Sequence, residues 1–325
     1  VSFTREDDPP EAVEHLRSIC QEVHPVPMRR SAWRNLRAAA EGVLSGLPMV
    51  IARDKVAEME ATLQRLVTEQ ATDGRRPYDI IHADQLSMAW WGRLVSAMAA
   101  RNRPRTLLDE HNAIYLLAQR MADTEGNPLR RAIMAQEARA FRRYEAEMCR
   151  AFDAVLTVTE EDREHLLALF PADERERLAQ KFTVVPICVD PEQVSPVAHG
   201  DGGAPTVLHM GTMFWPPNVH GVLWFAREVL PLIHEKVPDA RFVVVGKNPP
   251  QEVQALAEDP RVEVTGYVAD PMPYLEAAHA FVVPLHAGGG MRVKIVDAWL
   301  WGLPMVSTPI GAEGISCRDG EHLLL

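Results

Sequence analysis

The chain is 325 residues long, with 47% hydrophobic and 24% charged residues and a formal net charge of −11. This length predicts two domains of ordinary size, and the composition is typical of a globular protein with a sizeable core. The acidic balance argues against a general nucleic-acid binder, which needs a surplus of lysine and arginine. No apolar run approaches the roughly 20 residues that a membrane-spanning helix requires.

The cysteine spacing bears on the cellular compartment, and the chain ends bear on whether the sequence is a fragment. Cys20, Cys149, Cys188 and Cys317 are far apart and form no Cys-x-x-Cys pair. A zinc site or disulfide framework is therefore not predicted, and a reducing cytoplasm is the simplest location. The sequence has no signal peptide, but it begins without methionine in a strand-like run and stops in another. We expect both ends of a longer protein to be missing.

The first part of the chain, residues 1–190, alternates short apolar runs with segments of helical periodicity. This alternation predicts a domain with a parallel sheet covered on both faces. Thr159, followed three residues later by Asp162, resembles a capping box at the start of a helix. We predict strands at residues 1–4, 23–27, 78–82, 105–109, 154–158 and 182–185, and helices at residues 10–22, 32–44, 54–70, 85–100, 128–150 and 160–170.

A second alternating series occupies residues 206–325. Residues 191–205, rich in proline and glycine, break the rhythm and are predicted to form an interdomain linker. Three strands of the second series end at Gly211, Gly246 and Gly266. Ligands of parallel sheets bind beyond the carboxyl ends of the strands, so these glycines predict one crevice that faces the other domain. We predict strands at residues 206–210, 241–245, 262–265, 280–285 and 304–307, and helices at residues 219–235, 251–257 and 272–278.

A run of three glycines, Gly288, Gly289 and Gly290, precedes one more predicted helix; we call it the glycine loop. Unpaired amides and a positive dipole end favour an anion at such a helix start, and glycines let it approach the main chain. Lys294 and Asp297, three residues apart, share a helix face. A lysine beside the glycines is suited to bind a diphosphate, and a carboxylate one turn further along the helix is suited to bind the ribose attached to it. A plain structural turn before a helix would explain the same glycines.

Several longer sequence segments match a known protein family. The chain resembles the group 1 glycosyltransferases, family 4 of the retaining GT-B enzymes, over most of its length, and in particular the branch found in bacterial exopolysaccharide gene clusters. The matching phrases are HMGTMFWPPN (209–218), FVVVG (242–246), VTGYV (264–268), GMRVKIVDA (290–298), GLPMVST (302–308) and GAEG (311–314), with YDIIH (78–82), DEHN (109–112), VTEED (158–162) and VVP (184–186) in the first half.

The resemblance implies an α/β protein of the GT-B fold, with two doubly wound Rossmann-like domains that face a central cleft. It implies a hexosyltransferase that uses a nucleotide diphosphate sugar as donor, retains the anomeric configuration and needs no cofactor and no metal; the chain has no Asp-x-Asp pair to hold one. It assigns catalytic roles to His111, Lys294 and Arg292. The implied donor-binding residues are Gly211, Thr212, Tyr267, Val268, Gly288, Gly289, Gly290, Asp297 and Glu313, and the implied acceptor-side residues are Asp84, Gln85 and Asn112.

The sequence departs from the family pattern at the Glu-x7-Glu motif. The first acid is replaced by Gly289 and the second by Asp297, a shorter side chain. We expect Glu313 or a main-chain amide of the glycine loop to substitute in the contact with the sugar. The glycine-rich loop that the family carries after its first strand would lie upstream of Val1.

Other residues keep two interpretations. His111 follows a predicted strand and either contacts the donor sugar or assists the leaving group, or it is a loop histidine satisfied by its neighbours. Asp84 and Gln85 follow another predicted strand end, where acceptor contact is one possibility. The segment 29–37, with Arg29, Arg30, Arg34, Arg37 and Trp33, is either a basic amphipathic surface for an anionic membrane or a solvated helix face.

The leading hypothesis is a cytoplasmic retaining glycosyltransferase that acts in polysaccharide or glycolipid assembly. Peripheral contact with the inner face of the plasma membrane is one of the two interpretations of segment 29–37. A nucleotide-sugar epimerase on the same fold is one alternative, because fold does not fix function. The other is a degenerate family member that binds a nucleotide sugar or a partner without catalysis, which Gly289 and Asp297 keep open.

Overall fold

The structure is a computed structural model that describes the chain except residues 6, 7, 9, 30, 73–77, 100–102, 191, 193–195 and 199–202. The chain folds into two compact units. Unit 1 comprises Val1–Ala122, Asn127–Thr157 and Arg163–Val184, and unit 2 comprises Asp123–Gly126, Val158–Asp162 and Val185–Leu325. Much of the predicted linker, at residues 191, 193–195 and 199–202, lies outside the described residues.

The strands of unit 1 form two parallel sheets. A two-stranded sheet pairs β1 (Ser2–Thr4) with β2 (Pro25–Pro27). The other sheet has the spatial order β3-β4-β5-β6, made of β3 (Ile80–Asp84), β4 (Arg105–Glu110), β5 (Ala154–Thr157) and β6 (Phe182–Val184). Each predicted strand of this part forms. Strand β3 is shifted toward higher residue numbers, which makes Asp84 its last residue.

The helices before residue 185 follow the predicted pattern with three additions. The predicted helix 54–70 is wrong at its start, because α3 is a separate helix, and α6 and α9 were not predicted. The predicted capping contact does form, since the N–H of Asp162 donates to Thr159 Oγ1 at 2.9 Å. The helices are α1 (Pro10–Ile19), α2 (Ala32–Ser45), α3 (Met49–Asp54), α4 (Ala57–Thr72), α5 (Leu86–Met98), α6 (Ile114–Thr124), α7 (Pro128–Ala151), α8 (Glu160–Leu167) and α9 (Ala172–Ala179).

Helix α6 is capped by a residue of a different helix. The backbone N–H groups of Ile114 and Tyr115 donate to the carboxylate of Glu145 at 2.6 and 2.8 Å. Glu145 lies on α7 and is fully buried. A carboxylate at this point satisfies the first amides of the helix and suits its positive dipole end. The start of α6 therefore depends on tertiary structure.

The sheet of unit 2 is parallel and has the spatial order β11-β10-β7-β8-β9. Its strands are β7 (Thr206–Met210), β8 (Arg241–Val245), β9 (Val262–Gly266), β10 (Ala280–Val283) and β11 (Met305–Ser307). Along β8, Phe242 and Val244 belong to one buried cluster and Val243 and Val245 to another, so both faces are covered. The direction of winding reverses between β7 and β10, which is where doubly wound sheets bind ligands.

The helices of unit 2 contain one irregular stretch. The predicted single helix 219–235 is wrong in its middle, where Phe225–Val229 forms a π-helical turn. Pro231 follows this turn, and because proline has no N–H and its ring crowds the preceding turn, the helix widens there. The helices are α10 (Pro216–Trp224), α11 (Leu230–His234), α12 (Gln251–Gln254), α13 (Met272–Ala277) and α14 (Val293–Leu300).

Helix α14 follows the glycine loop and ends as predicted. Gly302 has a φ of 80°, and the N–H of Leu303 donates to the carbonyl of Ala298 at 3.0 Å. This is the usual glycine-terminated helix end. Across the described residues, no helix is both long enough and apolar enough to cross a membrane.

Candidate functional site

Two glycines bring the ends of β7 and β8 close together. The N–H of Gly211 donates to the carbonyl of Val245 at 3.0 Å, and a Cβ on Gly246 would collide with the carbonyl oxygen of Gly211. A Cβ on Gly211 would lie 2.8 Å from Lys294 Nζ and 2.8 Å from Asn218 Nδ2. The missing side chains thus leave room for a lysine and an asparagine beside the carboxyl end of β7.

Lys294 lies in the first turn of α14, and its Nζ donates to Asn218 Oδ1 at 3.2 Å. Burial of the ammonium group, with a smaller contribution from the positive charge of Arg292, lowers the pKa of Lys294 to about 8. In the part of the chain that the structure describes, no carboxylate forms a salt bridge with this ammonium. A cation that is desolvated but not neutralised is suited to an anion.

Asp297 lies one turn further along α14 and is half-buried. Desolvation raises its pKa above the usual aspartate value. Among the described residues its carboxylate has no hydrogen-bond or ion-pair partner. A partly desolvated carboxylate without a protein partner is free to accept hydrogen bonds from a ligand.

The side chain of Arg292 lies against the glycine loop. The residue is only 8% exposed. Its guanidinium donates to the carbonyl oxygens of Gly289, Gly290 and Ile310. The side chain therefore braces the glycine loop from inside, and a direct contact between Arg292 and a diphosphate stays a prediction.

The glycine loop is shaped by its neighbours in unit 2. A Cβ on Gly288 would collide with the guanidinium of Arg292. Gly290 has a φ of 72°, and its N–H donates to Asp162 Oδ1 at 3.4 Å. A side chain at position 288 would therefore displace the Arg292 guanidinium. The amide of Gly290, one of those predicted to face an anion, already has a partner.

The remaining predicted donor residues lie along the carboxyl edge of the sheet of unit 2. Thr212 is exposed, and its carbonyl accepts a hydrogen bond from Asn218 Nδ2 at 3.0 Å. Tyr267, just after β9, is 73% exposed, whereas Val268 packs against the core. Glu313 is half-buried after β11, and its N–H donates to the carbonyl of Ile310, which also accepts from Arg292.

The predicted residues of unit 1 form a polar cluster at the carboxyl ends of β3 and β4. His111 Nε2 lies 3.0 Å from Asp84 Oδ1 and 3.9 Å from Asp109 Oδ1. His82 Nε2 lies 3.3 Å from Asp109 Oδ2. Gln85 Nε2 lies 3.5 Å from His111 Nδ1. We call His82, Asp84, Gln85, Asp109 and His111 the unit 1 cluster.

The backbone around this cluster is strained at one point. Gln85 has a φ of 69°, a conformation that non-glycine residues rarely adopt, and its N–H donates to the carbonyl of Asp109 at 3.0 Å. The Oδ1 atom of Asn112 is buried and has no hydrogen-bond partner among the described residues. The structure thus brings His111, Asp84 and Gln85 together.

One atom from each of Asp84, Asp109 and His111 lies within 4.8 Å of the others, a spacing that could hold a metal ion. The family resemblance implies that no metal is needed. The observed contacts of His111 with Asp84 and of His82 with Asp109 also account for the cluster as ion pairs.

Sequence reasoning missed two buried residues near Lys294. Asn218 is 5% exposed. His209 is fully buried, its Nδ1 lies 2.9 Å from the carbonyl of Val282, and its Nε2 has no partner among the described residues. Burial, together with the charge of Lys294, lowers the pKa of His209 to about 3. The sequence signal that could have identified His209 is its position as a lone histidine inside the apolar run of β7.

Comparison with known families decides the identity of the chain. Residues 1–180 match the glycosyl transferase 4-like domain family, and residues 204–325 match the family of glycosyl transferases group 1. The chain belongs to the group 1 glycosyltransferases. This glycosyltransferase is 28% identical over 133 residues to an uncharacterized 44.6 kDa protein in the cps region of Klebsiella pneumoniae. That match covers 37% of this chain and 33% of the Klebsiella protein, about a third of its length.

Solved structures share the fold of this glycosyltransferase. Anabaena HepE in complex with UDP and glucose matches at a TM-score of 0.63 and 14% identity, over 99% of this chain and 77% of HepE. A glycosyltransferase from Rickettsia africae matches at a TM-score of 0.56 and 14% identity, over 97% of this chain and 73% of the other. The predicted α/β, GT-B fold is confirmed.

Proposed function

We propose that this glycosyltransferase is a hexosyltransferase that moves a sugar from a nucleotide diphosphate sugar to a glycan or lipid-linked acceptor in polysaccharide or glycolipid biosynthesis. The proposal includes retention of the anomeric configuration and independence of metal ions and cofactors. Lys294, a desolvated cation without a carboxylate partner among the described residues, is the observation that carries it. HepE, which shares the fold, has been solved with UDP-glucose.

The chemistry assigned to unit 2 is stabilisation of the leaving diphosphate. Negative charge develops on that group as its bond to the anomeric carbon breaks. The Lys294 ammonium and the first amides of α14 are suited to stabilise this charge. Asp297, one turn further, is suited to accept hydrogen bonds from the ribose hydroxyls, and the main chain at Tyr267 and Val268 is assigned to the base.

Residues of unit 1 are assigned to contact the donor sugar and the acceptor. His111 is assigned to contact with the donor sugar or to assistance of the leaving group, since its ring is partly exposed and held by Asp84. Asp84, Gln85 and Asn112 are assigned to the acceptor. In unit 2, Arg292 acts through the glycine loop that it braces.

Incubation with labelled nucleotide sugars and a lipid-linked acceptor tests this function. We expect one donor to give transfer that continues in excess EDTA, because the charge on the leaving group is met by Lys294 and main-chain amides rather than by a metal. The product, followed by proton NMR, is expected to keep the anomeric configuration of the donor.

Three outcomes would contradict the proposal in different ways. Loss of transfer in EDTA, restored by a divalent ion, would favour a metal at Asp84, Asp109 and His111 instead. Binding of a donor without turnover would favour a degenerate nucleotide-sugar binder. Conversion of the donor to its epimer without an acceptor would favour an epimerase.

We also propose that unit 1 contacts an anionic membrane surface through α2. Trp33, Leu36 and Leu44 are 73%, 62% and 88% exposed. Leu36 and Leu44 follow Trp33 by 3 and 11 residues, a spacing that places all three side chains on one face of the helix. Arg29 and Arg37 are exposed nearby. Apolar side chains with flanking arginines suit an interface rich in acidic lipids, where each arginine contributes about 1 kcal/mol.

Of the four arginines predicted for this surface, one is bound to the backbone and one is not described by the structure. Arg34 donates to the carbonyl oxygens of Arg29 and Arg53 at 2.9 and 3.0 Å, so its guanidinium is tied to the backbone. Arg30 lies outside the described residues. The proposal, which places the enzyme in the cytoplasm at the inner face of the plasma membrane, therefore rests on the apolar stripe and the two remaining arginines.

Sedimentation with lipid vesicles tests the membrane contact. We expect the protein to bind vesicles that contain phosphatidylglycerol more strongly than vesicles of phosphatidylcholine alone, and the double variant Trp33→Ala, Leu36→Ala to lose most of this binding. Leu232→Ala is the matched control, since Leu232 is an exposed leucine on α11 of unit 2. Equal binding by the double variant and the wild type would exclude α2 as the contact.

A further inference from the structure

Asn218 joins three segments of unit 2. It lies in the first turn of α10, and its Nδ2 donates to the carbonyl of Thr212, in the turn between β7 and α10, at 3.0 Å. Its Oδ1 accepts a hydrogen bond from Lys294 Nζ, on α14, at 3.2 Å. Both ends of one buried amide are therefore used, which fixes its orientation and with it the position of the ammonium.

The amide is a chemically informative partner for a buried lysine. A buried ammonium is usually stabilised by a carboxylate, which also cancels its charge. An amide oxygen accepts a hydrogen bond but carries no net charge. Lys294 is thus held in place while its positive charge stays available to something else.

Among the described residues, the charged group that shifts the pKa of Lys294 is positive, and the carboxylate of Asp297, one turn further along α14, forms no salt bridge with the ammonium. Arg292 contributes positive charge, and His209, whose pKa is lowered by burial and by Lys294 itself, is neutral at physiological pH. The Nδ1 of His209 lies 2.9 Å from the carbonyl of Val282, so we assign the proton to Nδ1, and the unpaired Nε2 carries a lone pair rather than a charge.

We propose that Asn218 is a positioning residue that holds Lys294 Nζ beside Gly211 without neutralising it, so that a diphosphate can be the ionic partner. This inference rests on the proposed function, because it assigns the ligand of the same site. Asn218 itself need not touch the ligand. Asn218 contributes by fixing the position of the Lys294 ammonium and by leaving its charge without a carboxylate partner.

The test compares the wild type with Asn218→Asp, a variant of nearly the same shape that adds a carboxylate. Acylation of Lys294 by an amine-reactive reagent, followed by mass spectrometry as pH varies, reports the titration of its amine. Inorganic pyrophosphate, added as a competitor, reports anion binding through protection of Lys294. Neither measurement requires sugar transfer.

In Asn218→Asp we expect the titration midpoint of Lys294 to rise by about one pH unit or more, because a carboxylate stabilises the ammonium. We expect about tenfold more pyrophosphate to be needed for protection, since the charge is then paired internally. Gln180→Glu is the matched control. It makes the same change of charge at an exposed position before β6 of unit 1 and should resemble the wild type.

A second variant separates positioning from folding. Asn218→Ala removes the acceptor without adding a charge, so protection should weaken about tenfold, as for a lost hydrogen bond to a charged group, while the midpoint does not rise. A purely structural asparagine would lower the melting temperature in both variants and leave midpoint and protection unchanged, which would overturn the proposal. Wild-type protein that pyrophosphate does not protect would also overturn it. Absence of sugar transfer with every donor would contradict only the proposed function.

Discussion

Replacing Lys294 by alanine is expected to lower kcat/KM for the nucleotide sugar about 100- to 1,000-fold, the usual cost of removing one group that stabilises transition-state charge. The variant removes the ammonium next to Gly211 and leaves the glycine loop braced by Arg292. We therefore expect the fold to survive. Initial rates with varied donor, together with the melting temperature, check both statements.

Lys236→Ala is the matched control for this prediction. Lys236 is an exposed lysine of the same unit that precedes β8, near the amino ends of the strands rather than their carboxyl ends. Its loss should leave kcat/KM within about twofold of the wild type, as is usual for surface substitutions. Near-normal activity in Lys294→Ala would remove the central support of the proposed function.

The same assay has an expected pH dependence. The Lys294 ammonium must be protonated to attract the diphosphate, and the pKa of this lysine is lowered to about 8 in the free protein. Deprotonation should therefore reduce kcat/KM as pH rises above about 8. A bound diphosphate favours the charged amine, so kcat should persist to higher pH than kcat/KM. A flat profile of kcat/KM between pH 7 and about 9 would contradict this assignment of the lysine.

His111→Ala is expected to reduce kcat about 100-fold or more, within the range observed for residues that move a proton in the transition state. Because the imidazole side chain is 39% exposed, its removal should change the melting temperature little. Single-turnover rates with saturating donor and acceptor measure the effect on the chemical step.

The control for His111 is His15→Ala, which removes an exposed histidine on α1 of the same unit. This variant should be as active as the wild type. If His111→Ala kept the wild-type kcat, the unit 1 cluster would be an ion-paired surface without a catalytic role. The alternative interpretation of His111 as a loop histidine satisfied by its neighbours would then hold.

Local patterns predicted most of the fold because strand runs and glycine stops are short-range signals. Every strand of the three sheets begins within two residues of its predicted start. The misses have non-local or weakly patterned causes. Helix α6 starts on a carboxylate 30 and 31 residues further along the chain, and the charged segment Ala172–Ala179 has little apolar periodicity to reveal α9.

The candidate site was predictable to the extent that it follows from helix spacing. Lys294 and Asp297 share α14 with the spacing that places them on one face. The burial of Arg292 was not predictable, because its partners include Ile310, 18 residues away. Asn218 was also missed, because its hydrogen bond with Lys294 joins residues that are 76 positions apart in the sequence. Contacts between distant segments decide which charges are exposed to a ligand.

The neutral amide that holds Lys294 has a consequence for the resting molecule. Folding must desolvate this cation without supplying a counter-ion, so below about pH 8 the lowered pKa of Lys294 reduces the free energy of unfolding of the empty protein. That penalty fades as pH rises from about 8 toward the ordinary lysine value, where the unfolded chain also loses the proton. In the proposed function an anionic substrate supplies the missing counter-ion, so we expect the protein to be less resistant to heat after the product has left. Heat resistance in the resting state is thus exchanged for affinity, a trade-off common at binding sites.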